Sequence, residues 1–213
     1  PQALLYAWQG GMVGGYGTAD VLLGKTCPSG RLTDTIAYKI TDYPSDANFG
    51  NRDRDLYEED IYVGYRYFET AAKERVRYPF GFGLSYTDFR IWDVSFSAGE
   101  KDAEITFTVQ NIGTVPGKEV VQVYVTAPEG ALSKPEKVLA GFAKTRELKP
   151  GLKEQMRIAV PYESFASYDE TGTSGFASSY ILEKGEYLFH IGRNVRETEV
   201  AGSFTLEETV CLA

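Results

Sequence analysis

The sequence predicts a mixed fold: a partial α/β sandwich segment over residues 1–88, then an all-β immunoglobulin-like sandwich over residues 89–213. Two observations predict it. From residue 89 onward, apolar and polar residues alternate in short runs separated by turn residues, which is typical of antiparallel strands. Before residue 89, an apolar stretch, a glycine-rich loop and a helical pattern follow one another, which is the order of a strand–loop–helix unit.

The α/β segment begins with a predicted buried parallel strand at residues 3–7. A glycine-rich loop at residues 9–15 and a short helix at residues 18–23 follow, and Gly24 fits the left-handed residue that closes a helix. A buried parallel strand needs neighbouring strands and helices on both faces, which the first 80 residues cannot supply. We therefore expect residues 1–80 to depend on partner domains, whereas residues 89–206 fold on their own.

Residues 33–60 are polar and irregular, and residues 61–68 return to an ordered apolar segment. A long loop inside a compact domain is often functional or covers a neighbour, so we expect residues 43–60 to approach another domain. Residues 78–86, rich in aromatic residues, Pro and Gly, predict a rigid connector to the sandwich.

Five strands of the sandwich are predicted from alternation of period 2. Turn residues separate them, as at Asn111-Ile112-Gly113 and Lys149-Pro150-Gly151. The predicted strands centre on Trp92, Val94 and Phe96; on residues 105–109; on Val121, Val123 and Val125; on Met156, Ile158 and Val160; and on Tyr187, Phe189 and Ile191.

Composition excludes several functional classes. The net charge of −8 and the scattered basic residues argue against a nucleic-acid partner. No apolar run is long enough to cross a membrane as a helix. One histidine and two distant cysteines, Cys27 and Cys211, argue against a metal site and leave a disulfide open. The glycines of residues 10–17 match neither G-x-G-x-x-G nor a P-loop, so we expect no cofactor.

No catalytic residue can be assigned from the sequence. The only histidine, His190, lies in a predicted strand, where a structural role is expected. The remaining candidate chemistry is a carboxylate pair, and the acidic residues cluster at Asp53, Asp55, Glu58, Glu59 and Asp60. A charge run of this kind is more often a solvated surface, and sequence alone cannot set a carboxyl–carboxyl distance.

Short motifs in a fixed order carry a family resemblance. Residues 7–24 contain A-W-Q-G-G and A-D-V-L-L-G; residues 28–32 read P-S-G-R-L, and residues 78–87 read Y-P-F-G-F-G-L-S-Y-T. Residues 57–68, 111–113, 117–124 and 148–151 add further matches. Together these motifs resemble glycoside hydrolase family 3, with the end of its α/β sandwich domain followed by its fibronectin-III-like domain.

The resemblance implies a multi-domain, retaining, β-glucosidase-like hydrolase of terminal β-linked sugars. A TIM-like barrel supplies the aspartate nucleophile, and the acid/base glutamate lies upstream of the A-W-Q-G-G match. The chain is therefore expected to be an inactive, non-catalytic fragment. Its expected partners are the missing barrel, the rest of the α/β sandwich and, for the parent, a β-glycoside; a homo-oligomer is left open. The alternatives are a freestanding carbohydrate-binding or adhesion module and a purely structural scaffold released by proteolysis.

Two details refine the resemblance. Many members carry Gln-Glu-Gly-Gly where this chain has Met12-Val13-Gly14-Gly15, so a carboxylate is missing at Val13. Residues 34–37 and 42–45 are similar to a bacterial subgroup in which these domains precede the barrel. A bacterial, cytoplasmic protein is the resulting expectation.

Overall fold

The computed structural model describes residues 3–212, which form antiparallel strands with two short helices. The helices are α1 (Gly14–Leu22) and α2 (Tyr65–Ala71). The strands are β1 (Ile36–Ala37), β2 (Val76–Tyr78), β3 (Phe89–Ala98), β4 (Asp102–Asn111), β5 (Val120–Thr126), β6 (Val138–Lys144), β7 (Lys153–Pro161), β8 (Ser167–Asp169), β9 (Ser179–Leu182), β10 (Gly185–Gly192), β11 (Thr198–Leu206) and β12 (Val210–Cys211).

Two sheets form the predicted sandwich. One sheet has the order β3-β4-β7 and the other β11-β10-β5-β6, and a small third sheet has the order β12-β9-β8. Inward residues of the two large sheets, among them Phe107, Val109, Val123 and Phe189, form one buried core. Burying each such side chain contributes about 1.5–3 kcal/mol, so this core dominates the stability of the chain. The mixed fold with an all-β sandwich is confirmed.

The alternation predicted for β3 is wrong at one position. A bulge lies between Trp92 and Ser95, and Asp93 has a positive φ of 56°. An extra residue in a strand reverses which side of the sheet the side chains beyond it face. Val94 therefore packs against the core as predicted, whereas Trp92 lies outside it, with the Lys153 ammonium 5.4 Å from its ring centre.

Strand β5 is buried on both faces, which its alternation does not predict. Val121 and Val123 enter the core of the sandwich. Gln122, 3% exposed, and Tyr124, fully buried, point the other way. The segment before residue 88 covers this second face.

The buried strand expected at residues 3–7 is absent, because no strand of residues 3–212 pairs with it and its residues are exposed. A strand cannot satisfy its backbone groups without a neighbour. The helix expected at residues 18–23 begins earlier, at Gly14, and no residue of α1 is buried. Gly24 does adopt the predicted left-handed conformation, with φ 70°.

A second, small core lies between residues 36 and 78. Strands β1 and β2 pair, and Ala37, Phe68, Ala72 and Val76 are buried together. Helix α2 occupies the end of the ordered segment predicted at residues 61–68. No helix among residues 3–212 combines the length and the apolar character that a membrane crossing requires.

Candidate functional site

The acidic cluster lies on a loop that we define as loop 48–63, between a 3-10 turn and α2. Its five carboxylate residues are exposed or half-exposed, and none of their side chains forms an ion pair with another residue in 3–212. Phe49 and Tyr57 project from the same loop, 88% and 90% exposed. The loop therefore presents aromatic and acidic side chains without enclosing a site.

The buried carboxylates of residues 3–212 are Glu69, Glu119, Asp169 and Glu183, and all have partners. The Ser174 hydroxyl, followed by backbone N–H groups, lowers the pKa of Asp169 to about 2, against the effect of burial. Burial alone would raise the pKa of Glu183, but the Lys134 ammonium and two backbone N–H groups lower it. A general acid needs a raised pKa, so neither of these two groups suits that role.

The histidine and cysteines form no reactive centre within residues 3–212. His190 lies in β10 with Nε2 3.0 Å from the Thr126 hydroxyl, and burial, followed by the nearby Lys137 charge, lowers its pKa to about 4. Cys27 and Cys211 are both free, so the disulfide left open by the sequence is not formed. No three metal-ligating side chains come together in this part of the chain.

One ion cluster joins the first segment to the sandwich. Glu119, 2% exposed, pairs with Arg31 from the first segment and lies 3.6 Å from Nε of Arg193. The Val120 N–H also donates to Glu119 Oε1, at 2.7 Å. Removing one member of a buried pair leaves an uncompensated charge, so this cluster ties the two segments together.

The second face of β5 completes this contact, which we call the seam. Gln122 Nε2 donates to the Gly81 carbonyl at 3.3 Å, and the Tyr124 hydroxyl donates to Gln122 Oε1 at 2.5 Å. Burial, followed by the nearby Tyr65 and Glu69, raises the pKa of Tyr124. Gly81 has φ 80°, and a methyl group there would overlap the Gln122 amide.

The first segment exposes many large apolar side chains. More than half of the exposed large hydrophobic side chains of residues 3–212 belong to residues 3–63. They include Leu4, Tyr6, Trp8, Met12, Tyr16, Leu22, Leu23, Tyr38, Ile40, Phe49 and Tyr57. Exposed apolar side chains in such number are typical of an interaction site.

The sandwich offers little support for a freestanding carbohydrate-binding module. Of its exposed aromatic residues, Tyr168 and Tyr180 form a ring pair, and they lie directly opposite on β8 and β9. Their rings are 5.1 Å apart but inclined at 59°, so they do not form a flat platform. Such a pair is explained by ordinary cross-strand packing.

Sequence reasoning missed the seam. Alternation showed that Gln122 and Tyr124 share a face of β5, but nothing in it showed that the face is covered. The one available signal was the connector at residues 78–86, whose glycines allow close approach of backbone to another element.

Comparison with known proteins matches both parts of the chain. Residues 1–86 match the family model of the glycosyl hydrolase family 3 C-terminal domain, and residues 119–195 match a fibronectin type III-like domain. A β-glucosidase of Ruminococcus albus is 53% identical over 212 residues, covering 98% of this chain but 22% of the relative.

Solved structures give the same result. A β-glucosidase from Paenibacillus barengoltzii matches with a TM-score of 0.89 and 48% identity, covering 96% of this chain and 23% of that one. β-Glucosidase 3B from Thermotoga neapolitana matches with a TM-score of 0.86 and 36% identity, covering 96% and 28%. The chain thus spans about a quarter of the length of these proteins. It belongs to glycoside hydrolase family 3, of which it carries the C-terminal-domain segment and the fibronectin type III-like domain.

Proposed function

We propose that this chain is a non-catalytic part of a β-glucosidase that hydrolyses terminal β-linked glucose with retention of configuration. The observation that carries the proposal is the exposed apolar surface of residues 3–63 in a chain similar to a quarter of several β-glucosidases. Retaining glycosidases need two carboxyl groups about 5 Å apart, one as nucleophile and one as acid/base. Both are assigned to sequence outside this chain.

The partners that we propose are the catalytic barrel and the rest of the α/β sandwich domain. Residues 3–7 would gain strand neighbours there, and α1 would bury its apolar side chains Leu22 and Leu23. The sandwich would support these domains through the seam. Association into a homo-oligomer is a separate question, which the mass of the assembled enzyme in light scattering decides.

A bacterial, cytoplasmic location is also part of the proposal. The two free thiols, Cys27 and Cys211, support a reducing compartment. Detection of the protein by antibody in cytoplasmic rather than secreted fractions of the source cells tests this assignment.

A chimera tests the function. In the Ruminococcus albus β-glucosidase, the matched segment is replaced by this chain, and hydrolysis of p-nitrophenyl-β-glucoside is measured for the chimera and for the chain alone. We expect activity in the chimera and none in the isolated chain. Hydrolysis by the isolated chain would contradict the proposal, and the acidic residues of loop 48–63 would then be the first candidates. A folded but inactive chimera would contradict it as well.

A further inference from the structure

Both ends of loop 48–63 converge on α2. Before the loop, the Tyr43 ring packs edge-on against Phe68 of α2, with ring centres 5.3 Å apart. After the loop, the chain enters α2 through Gly64 at φ 59° and ψ −127°, a conformation that essentially only glycine adopts. The position of α2 therefore fixes where the loop begins and ends.

The loop itself has only local support. Asn48 Nδ2 donates to the Leu56 carbonyl at 3.3 Å, the Asp53 N–H donates to Asn51 Oδ1, and the Tyr62 N–H donates to the Glu59 carbonyl. Within residues 3–212, none of the hydrogen bonds made by residues 49–63 reaches the sandwich. No hydrogen bond within the described residues therefore ties the loop directly to the sandwich, and the chain connects the two through α2.

Helix α2 is attached to the sandwich by an ion pair between a buried carboxylate and an arginine side chain that is 34% exposed. Glu69 is 4% exposed, and Arg196, in the turn between β10 and β11, donates from Nε to both of its carboxylate oxygens, at 2.9 and 3.2 Å. Arg196 Nη2 also donates to the Lys73 carbonyl, at 2.8 Å, just beyond α2. The Arg196 guanidinium therefore binds both a side chain of the helix and a backbone carbonyl just after it.

Further polar bonds support the attachment: the Lys73 ammonium pairs with the Glu136 carboxylate at 2.8 Å, and two backbone N–H groups donate to side chains of α2. The Leu139 N–H of β6 donates to the Tyr65 hydroxyl at 2.8 Å, and the Glu136 N–H donates to Thr70 Oγ1 at 2.9 Å. The Tyr65 ring also stacks on Phe80 of the connector, with ring centres 4.4 Å apart.

A cleft of about 280 Å³ lies where α2 meets the sandwich, and all but one of its lining residues are of charged types. It is lined by Glu69, Lys73, Glu136, Lys137, Val195 and Arg196. Directional polar bonds therefore hold the helix at this contact, together with the Tyr65 ring, which packs on Phe80 and Tyr124.

We propose that Glu69, Tyr65 and Arg196 form a clamp through which the fibronectin type III-like domain sets the position of loop 48–63. The three are positioning residues, because they act on the loop through α2. The assignment of the loop to the partner-facing side rests on the proposed function. The clamp itself does not, since it can be tested without activity.

The test measures loop position and helix opening in the isolated chain. Nitroxides on p-acetylphenylalanine at positions 52 and 186 report the loop-to-sandwich distance by pulsed electron resonance, with Cys27 and Cys211 left in place. Amide hydrogen exchange reports α2 and strands β4 and β10. Glu69→Gln is compared with Glu104→Gln, the same change at the exposed pair with Arg157, and Tyr65→Phe serves as a milder second variant.

For Glu69→Gln we expect exchange of the α2 amides to rise roughly tenfold and the distance distribution to widen about twofold, with β4 and β10 unchanged. Tyr65→Phe should also raise the exchange of the α2 amides and widen the distance distribution, and Glu104→Gln should change neither quantity. Unchanged distances in Glu69→Gln and Tyr65→Phe, with the sandwich intact, would overturn the clamp. Activity of the chimera would be untouched by that result, so the proposed function would stand or fall separately.

Discussion

The chain has two regions, residues 3–63 and residues 64–212, that differ in how far their apolar side chains are buried. The later region closes two sheets over one core that holds Phe107, Val123 and Phe189. The earlier region leaves Trp8, Met12 and Leu22 exposed, and no residue of α1 is buried. The difference teaches that the stability of the isolated chain resides in the sandwich and its seam, whereas the first region needs a further surface.

The exposure of apolar side chains changes near residue 63, whereas the sequence predicts a domain boundary near residue 88. A division near residue 88 stays a prediction, but the seam joins Arg31 and Gly81 to the sandwich, and the pair of Glu69 with Arg196 joins α2 to it. We therefore expect residues 25–212 to unfold as one cooperative unit, leaving residues 3–23 as the part that depends on partners.

The largest expected effect contrasts the core of the sandwich with the exposed helix α1. Phe107→Ala should lower the free energy of unfolding by about 4 kcal/mol, because it leaves a cavity in the sandwich. Leu22→Ala in α1 should change it by less than about 0.5 kcal/mol, since that side chain is already exposed. Urea denaturation measures both. Equal costs would show that α1 is packed in the isolated chain.

The second-largest effect is expected at the seam. Glu119→Gln removes the buried charge opposite Arg31 and should cost about 3 kcal/mol. Glu104→Gln, at an exposed pair, should cost under about 0.5 kcal/mol. The same denaturation assay compares them, and equal small effects would mean that the ion cluster does not join the segments.

A glycine of the seam gives a sharper, smaller test. Gly81→Ala places a methyl group against Gln122 at a positive φ, for an expected cost of about 2 kcal/mol. Gly30→Ala is the control, because no atom lies within 4 Å of its added methyl group; it should cost under about 0.5 kcal/mol. Thermal unfolding followed by circular dichroism distinguishes the two, and a neutral Gly81→Ala would contradict the seam geometry.

The smallest effect is a pH dependence within the sandwich. The pKa of His190 is lowered from 6.5 to about 4 in the folded chain, so the unfolded chain binds a proton first as pH falls. Its contribution to stability is complete above pH 6.5 and is lost progressively down to about pH 4. Between pH 7 and 6 the loss should be under about 1 kcal/mol. His190→Gln should remove this slope from denaturation curves; an unchanged slope would assign it to other groups.

The sequence allowed strands of the sandwich to be predicted where one face of the strand is buried and the other is exposed to solvent. Strands β4, β7 and β10 alternate cleanly enough to be found. Strand β6 was missed because its residues, V-L-A-G-F-A-K, form an almost unbroken apolar run with no period of 2. The bulge at Asp93 was missed because it depends on backbone geometry that alternation does not encode.

The first region could be recognised by its motifs, but its local sequence pattern did not predict its structure. The apolar residues 3–7 have the composition of a strand, yet a strand requires hydrogen-bonding neighbours that residues 3–212 do not place beside it. The residues Arg31, Glu69 and Glu119 are ordinary charged residues in the sequence. Only their long-range pairing reveals what they do.

Amide hydrogen exchange of residues 3–23, in the isolated chain and in the active chimera, tests the central contrast most directly. We predict rapid exchange in the isolated chain and strong protection in the chimera, with the sandwich core protected in both. Residues 3–23 protected in the isolated chain, or unprotected in an active chimera, would contradict the conclusion that this region is completed by a partner domain.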